Sequence, residues 1–404
     1  MKGPLLLLAA PSRESQDKAA HFAAAAEALK VTARILVAQM PEQIMIMAAR
    51  EPCGYALACS DALAVPAAAL NERAGHAACG AALAAALVDK GRGIPLLSAL
   101  LDLPCLPQCV PLTPDDLLAW PHTGPLIAKP TRSAGGWSPR PWGYRRFESA
   151  RGFLDWLAAE NLTADFFAEQ QRPGQLGPVL LQAAIDNDRV EVASLLLAPA
   201  GARVICRGYG LFQPHDDAGH GRHWNRALYH AAAAPDLAER LPRLAGLIGQ
   251  VPGWGHGVLH VQGIRAQTGF YLTDINLRIS TAWDWLMAAA DPSFHRRLLS
   301  SLLFGEIFDP AWPAPVMAID LIYGLPDRGS TELRFPPPGE GILPWRMRLE
   351  EGDQGQDGFD RAGQVPSFVT LGRDEADCIH RADVFRADAF RAGIAIADAP
   401  EQAA

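Results

Sequence analysis

The stretch that most limits what this chain can become covers residues 257–280. Two short apolar runs, 258–264 and 270–275, are joined by a polar connection containing Gly269, the pattern of a β-hairpin. The second run closes on Asp274, Asn276 and Arg278 at alternate positions. A strand repeats every two residues, so these three side chains leave on one face while Ile275, Leu277 and Ile279 leave on the other. The apolar face has to be covered by the rest of the chain. The other face then carries a carboxylate, an amide and a guanidinium within one strand's reach. A carboxylate beside an amide oxygen suits a hard cation such as Mg2+, and the arginine suits the phosphate such a cation brings. The same alternation also fits a surface hairpin with a solvated polar face.

At 404 residues the chain is too long for one core and divides into two or three domains. A hydrophobic share of 49% with 20% charged residues is that of a soluble globular protein. Net charge is 36 − 44 = −8, so no basic footprint points to nucleic acid or to an anionic membrane. The 7 cysteines are scattered and odd in number, which fits reduced thiols in the cytoplasm rather than a disulfide framework. Cys105 and Cys109 form the one close couple and read as packing residues. The opening residues 1–10 are too short an apolar run for a signal peptide and read as a buried first strand. No segment approaches the roughly 20 apolar residues that a membrane span needs.

Along residues 1–88, apolar runs at 5–9, 32–37 and 55–60 alternate with Ala-rich helical segments at 12–30, 41–50 and 76–88, with 62–66 as an exit loop. This order predicts a small open parallel sheet with helices on both sides. No Gly-x-Gly-x-x-Gly follows the first strand, which argues against a dinucleotide site. The turn Pro11-Ser12-Arg13 reads either as a helix cap or as a seat for an anionic group.

The character changes near residue 89. A short helix spans 94–101, and Thr113 followed by Pro114 caps another. A strand over 124–130 delivers Lys129 into a loop that holds Ser133, Gly135 and Gly136. Glycines let backbone N–H groups approach a phosphate, and the ammonium supplies the countercharge. A plain hairpin loop is the alternative. Residues 147–159 are helical, with Phe147, Phe153, Leu154 and Leu157 on the apolar side. Strands at 178–185, carrying Gln182, Ala183 and Ile185, and at 190–197 then form a seam suited to a base and ribose. Glu191 is the candidate acid for the hydroxyls, with an exposed strand glutamate as the alternative.

Lys129 with its glycine loop, the strand at Gln182, Glu191 and the Asp274-x-Asn276-x-Arg278 motif together resemble the ATP-grasp superfamily of carboxylate ligases, its biotin-carboxylase-like branch most of all. Asp89-Lys90 resembles that branch's approach to the nucleotide, and Gln262 to Asp274 keeps the twelve-residue interval of its two metal acids. The likeness covers most of the chain in order. It implies an α/β plus α+β protein: a parallel-sheet domain at 1–88, an ATP-grasp domain at 89–310 with lobes at about 110–185 and 186–310, and a C-terminal α+β lobe at 311–404. It also implies ATP and Mg2+ as cofactors. Lys90, Lys129, Ser133, Gly135 and Gly136 would hold the phosphates, and Gln182, Ala183, Ile185 and Glu191 the nucleoside. Asp274, Asn276 and Gln262 would hold the metal, while Arg278 and Lys129 serve the chemistry. The implied reaction activates a substrate carboxylate as an acyl phosphate and joins it to an amine, for instance in glutamylation of a pterin-type cofactor precursor. The sequence departs from the family at Gln262, where an acid is usual, and at Asp274, where Glu is usual. A kinase of another acceptor and a non-catalytic ATP sensor are the competing readings. Small-molecule partners, no nucleic acid, no membrane and a homodimer complete the expectations.

Substrate contacts are expected from Arg207, Arg222 and Ser280, with Trp283 either lining the acceptor pocket or in the core. Solvated arginines are the alternative for the first two. Residues 205–224, with His215, His220 and His223, read as a mobile loop over the site rather than as a transition-metal site. A helix is expected over 291–304, with His295, Arg296 and Arg297 on its wet face. In the last lobe, residues 314–324 read as a strand, and a final helix from Asp374 turns Ile379, Val384 and Phe385 inward.

Overall fold

Four consecutive leucines open the first strand, and a run with no polar alternation is stable as a strand only where both faces are covered. The computed structural model of the chain meets that condition. It describes residues 3–38, 40–50, 52–76, 79–132, 142, 145–172, 177–185, 190–198, 201–210, 213–217, 222–230, 257–306, 308, 312–323, 339–346 and 367–391. Leu5–Ala9 (β1) lies between Ala33–Val37 (β2) and Tyr55–Ala58 (β3), parallel to both. Leu5 and Leu7 pack on Ala19, Phe22 and Ala26 of helix Arg13–Ala28 (α1). Leu6 and Leu8 face the other way, onto Ile44 and Ala48 of Pro41–Ala48 (α2) and Ala64, Ala67 and Leu70 of Ala64–Arg73 (α3). All four leucines are fully buried, each contributing about 1.5–3 kcal/mol. Residues 62–66 are not an exit loop. A turn of 3-10 helix at Asp61–Leu63 runs straight into α3, because Pro66 stands third in that helix, where a missing N–H forfeits no intrahelical bond.

Helices Ala81–Val88 (α4) and Lys90–Leu100 (α5) lead to an antiparallel sheet of order β4-β7-β5-β6, built from Gln108–Cys109, Leu126–Pro130, Arg145–Phe147 and Val179–Ala183 as β4 to β7. Thr113 caps Pro114–Ala119 (α6), accepting from Asp116 N at 3.1 Å while Asp116 accepts from Thr113 N at 2.9 Å. Leu126 and Ala128 point into a core completed by Phe153 and Leu157 of Ala150–Ala159 (α7) and Phe166 of Thr163–Gln171 (α8). By alternation, Ile127 and Lys129 leave on the opposite face.

The remaining strands are Val190–Ala198 (β8), Gly201–Gly210 (β9), Gln213–Asp217 (β10), Arg222–His230 (β11), Gly257–Ala266 (β12), Gly269–Asn276 (β13), Val316–Tyr323 (β14), Ile342–Arg346 (β15) and Ser367–Gly372 (β16). They form two antiparallel sheets, β13-β12-β8-β9 and β10-β11-β14-β16-β15. The second sheet joins strands from either side of residue 310. Segment 205–224, expected as a loop, is largely strand in both sheets, its backbone pairing across β9–β8 and β10–β11. Thr281–Ala290 (α9), Phe294–Phe304 (α10) and Glu375–Arg391 (α11) complete the described elements. Two expectations for these helices fail. His295 is buried, 7% exposed, because α10 packs on α1, and Val384 stays outside while Cys378, Ala382 and Phe385 face inward. Trp283 is core.

Candidate active site

The hairpin β12–β13 is the centre of the site. Its back face, Leu259, Val261, Phe270, Leu272 and Ile275, packs on Leu87, Ile94, Leu97 and Leu101 of α4, α5 and the residue after it. Phe270 and Leu272 share a face, so strict alternation would send Asp274 into the same core. It does not, because the register slips between Gln262 and Gly263: Gln262 pairs with Asp274 and Gly263 with Leu272, which leaves Thr273 as a one-residue bulge. The bulge restarts the alternation with Ile275 inward and Asp274 and Asn276 outward. Gly263 allows this, since a Cβ there would collide with the Phe270 ring and lie 2.9 Å from Tyr271 O.

The bulged Thr273 carbonyl accepts a hydrogen bond from Lys129 Nζ at 2.9 Å, and Gln182 Oε1 accepts another at 2.8 Å. Gln182 in turn donates to Gln108 Oε1 at 3.1 Å, and Gln108 to Gly91 O at 3.3 Å. This relay ends in the first turn of α5, capped by Asp89 Oδ1 on Gly91 N at 3.0 Å. Lys90, from the same turn, donates its backbone N–H to Thr131 O at 2.7 Å and brings Nζ to 3.2 Å from Asp274 Oδ1. Asn276 Nδ2 donates to Asp274 Oδ2 at 3.1 Å. Four separate segments, α5, β5, β7 and β13, thus bring Lys90, Lys129, Gln182, Asp274 and Asn276 together.

Two ammoniums now face one carboxylate in a buried setting. Burial, with Lys90 adding to it and Asp274 opposing, pushes Lys129 down to about 7. Burial alone would raise Asp274, but Lys90, Lys129 and the Asn276 amide hold it at about 2. Gln262 sits directly across from Asp274, with Nε2 3.2 Å from His260 Nε2. Burial, then the neighbouring Arg278, lowers His260 to about 3, so its imidazole is neutral near pH 7. Its place on this face was legible in the two-residue step to Gln262.

Arg278 is buried beyond the end of β13, donating to Asp61 Oδ2 at 2.6 Å and to Ile279 O at 2.8 Å. Lys18 of α1, fully buried, also donates to Ile279 O at 3.3 Å. The helical turns beside the β2-β1-β3 sheet therefore grip the end of the hairpin through Asp61 and Lys18. No local sequence signal announces these partners, which stand 217 and 261 positions away. Ser280 is the N-cap of α9, accepting from Trp283 N at 3.3 Å, so its hydroxyl is engaged in the helix end. Ala183 N donates to Pro107 O at 2.9 Å, and Ile185 follows β7 half-buried. Ser133, Gly135 and Gly136 lie outside the described residues. So do the side chains of Glu191, Arg207 and Arg222, whose backbones run in β8, β9 and β11.

No family model and no curated relative matches this chain. Solved structures do. An L-amino acid ligase from Bacillus licheniformis superposes with a TM-score of 0.62 at 11% identity, covering 96% of this chain and 98% of that one. The ADP complex of an N5-carboxyaminoimidazole ribonucleotide synthetase gives 0.64 at 11%, covering 96% and 97%. The biotin carboxylase domain of the Hydrogenobacter thermophilus 2-oxoglutarate carboxylase, in complex with MgADP, ADP and bicarbonate, gives 0.65 at 13%, covering 96% and 90%. At such identities the likeness is one of backbone, and it runs through all the sheets described above. The chain has the ATP-grasp fold.

Proposed function

We propose that the chain is an ATP-dependent, ADP-forming carboxylate–amine ligase. One observation carries the reading: Lys90 and Lys129, buried and brought from separate elements, bracket the single carboxylate of Asp274. That surplus of positive charge asks for a polyanion, and the three similar structures named above include two nucleotide complexes. Lys90 and Lys129 bind and orient the phosphates. Asp274, Asn276 and Gln262 would hold Mg2+. The donor set fits one hard cation, since Asp274 is an ionised carboxylate beside two amide side chains, with Lys90 Nζ at 3.2 Å in the place such a cation would take. Bound there, Mg2+ neutralises charge on the phosphate oxygens. Gln262 adds an oxygen without charge, so a second ion is held less firmly.

Arg278, held by Asp61 and Ile279 O, would serve charge developing on the transferred group. Loss of such a donor costs on the order of 10²–10³ in rate. The substrate carboxylate attacks the terminal phosphoryl, and an amine then displaces phosphate from the acyl phosphate. Amino acids and cofactor precursors, pterin-type glutamate acceptors among them, are the substrate classes, in a cytoplasmic setting. No described helix is long and apolar enough to cross a membrane.

Gln262 supports a second reading, nucleotide binding without turnover. Incubation with Mg-ATP and pooled amino acids and carboxylates separates the two, followed by phosphate release and mass spectrometry. A ligase yields phosphate and an amide, both lost in Lys129→Met and Asp274→Asn. Phosphorylated acceptor without amide means a kinase, binding without phosphate means a sensor, and no nucleotide binding at all ends the proposal.

A further inference from the structure

A second buried polar cluster lies away from the nucleotide site, where α1 packs against α9 and α10. His21 comes from α1, Asp284 from the first turn of α9 and His295 from the start of α10. Asp284 Oδ1 lies 2.6 Å from His295 Nε2, and Asp284 Oδ2 lies 3.4 Å from His21 Nδ1. One ligand atom from each residue falls within 4.8 Å of the other two. The two imidazole rings are 4.9 Å apart and tilted by 40°. Phe22 and Phe294 set ring edges against His295 at 5.1 Å each, so the cluster is walled by hydrocarbon.

We infer that His21, Asp284 and His295 form a binding site for one divalent transition-metal ion of the zinc class, joining the first domain to the helices that follow the hairpin. Two imidazoles and a carboxylate are the ligand set such an ion takes, and hard Mg2+ does not favour it. With ligand bonds of about 2.0–2.1 Å, the edge of a tetrahedral site is about 3.4 Å. The His21–Asp284 separation already has that length. Asp284 is fully buried, and its Oδ2 meets His21 Nδ1 at 3.4 Å, long for a hydrogen bond. A cation held between Asp284 and the two imidazoles would draw that long contact into one ligand set.

On binding through Nε2 of His295, the ion would take the place of the hydrogen bond to Asp284, and the neutral ring would carry its one N–H on Nδ1. The His295–Asp284 pair widens from its hydrogen-bonded separation as the ion enters. His21 is the one partly exposed member, with 26% of its side chain accessible, so the fourth position opens on its side and takes water. Lys18 also faces Asp284 from α1 while donating to Ile279 O. Its positive charge sets the affinity below that of an all-thiolate site. The ion would pin α1 to α9 and α10, beside the Ile279 carbonyl and Arg278. This inference does not depend on the reading of the nucleotide site.

The test uses the full chain, stripped with a chelator, reloaded with Zn2+ or Co2+ and desalted. Elemental analysis should find about one zinc per chain, as a site with three protein ligands retains its ion. The cobalt form should show the intense visible bands of a four-coordinate ion. His21→Gln, at the half-exposed position, should keep a wild-type far-ultraviolet circular dichroism spectrum and lose retention by at least about tenfold, as should His295→Gln. Wild-type protein that retains no zinc, or either variant retaining as much as wild type, overturns the site.

Discussion

If the site binds nucleotide as proposed, Lys129 should make that affinity fall as pH rises, over a range in which the site's other shifted groups do not titrate. Without ligand its pKa is about 7, against an ordinary 10.5, because it is buried beside Lys90. A bound polyphosphate restores the charged form, so the complex keeps its proton well above pH 7. The sign follows: affinity is complete below pH 7 and declines as pH climbs toward the pKa in the complex. At pH 7.5 about 24% of the free protein carries the proton and at pH 9 about 1%, from a pKa of about 7. Affinity for Mg-ATP should therefore weaken about 25-fold over that interval, or about 2 kcal/mol. Asp274, at about 2, and His260, at about 3, keep their charge states throughout. Isothermal titration calorimetry in buffers of different ionisation enthalpy reads both the affinity and the proton taken up, about 0.9 per nucleotide bound at pH 8. In Lys129→Met both the uptake and the slope should vanish. Wild-type affinity that is flat from pH 7.5 to 9, or a slope that survives in the variant, refutes the charge arrangement argued here.

Two further outcomes test the scaffold. Asp61→Ala or Arg278→Met leaves a buried charge unpaired and should each cost about 3–5 kcal/mol. The double variant should cost clearly less than the sum, by denaturant unfolding, and additivity within about 0.5 kcal/mol would mean the pair is not coupled. Gly263→Ala should cost about 1–3 kcal/mol through collision with Phe270. Phe270→Leu should recover only part of this, because Tyr271 O, a backbone atom 2.9 Å away, cannot retreat.

Local signals in the sequence decided a good deal. The leucine run of β1, the Thr113–Pro114 cap and the polar alternation at Asp274 and Asn276 were legible because each depends on neighbours a few residues off. Lys129 was legible because a strand that ends on a lysine beside glycines presents that charge at a loop. What the tertiary structure alone decided is where these pieces meet. The Thr273 bulge arises from strand pairing and from the Phe270 ring lying over Gly263, and no periodicity records it. The burial of His295, read from sequence as a wet face, follows from α1 docking on α10, a contact between residues more than 250 positions apart. Asp61 and Lys18 reach the end of the hairpin across similar distances in the chain. Composition and spacing describe what a side chain can do within its own turn or strand. Its pKa and partners depend on which distant surfaces exclude water around it, and that is settled only when the domains close on one another.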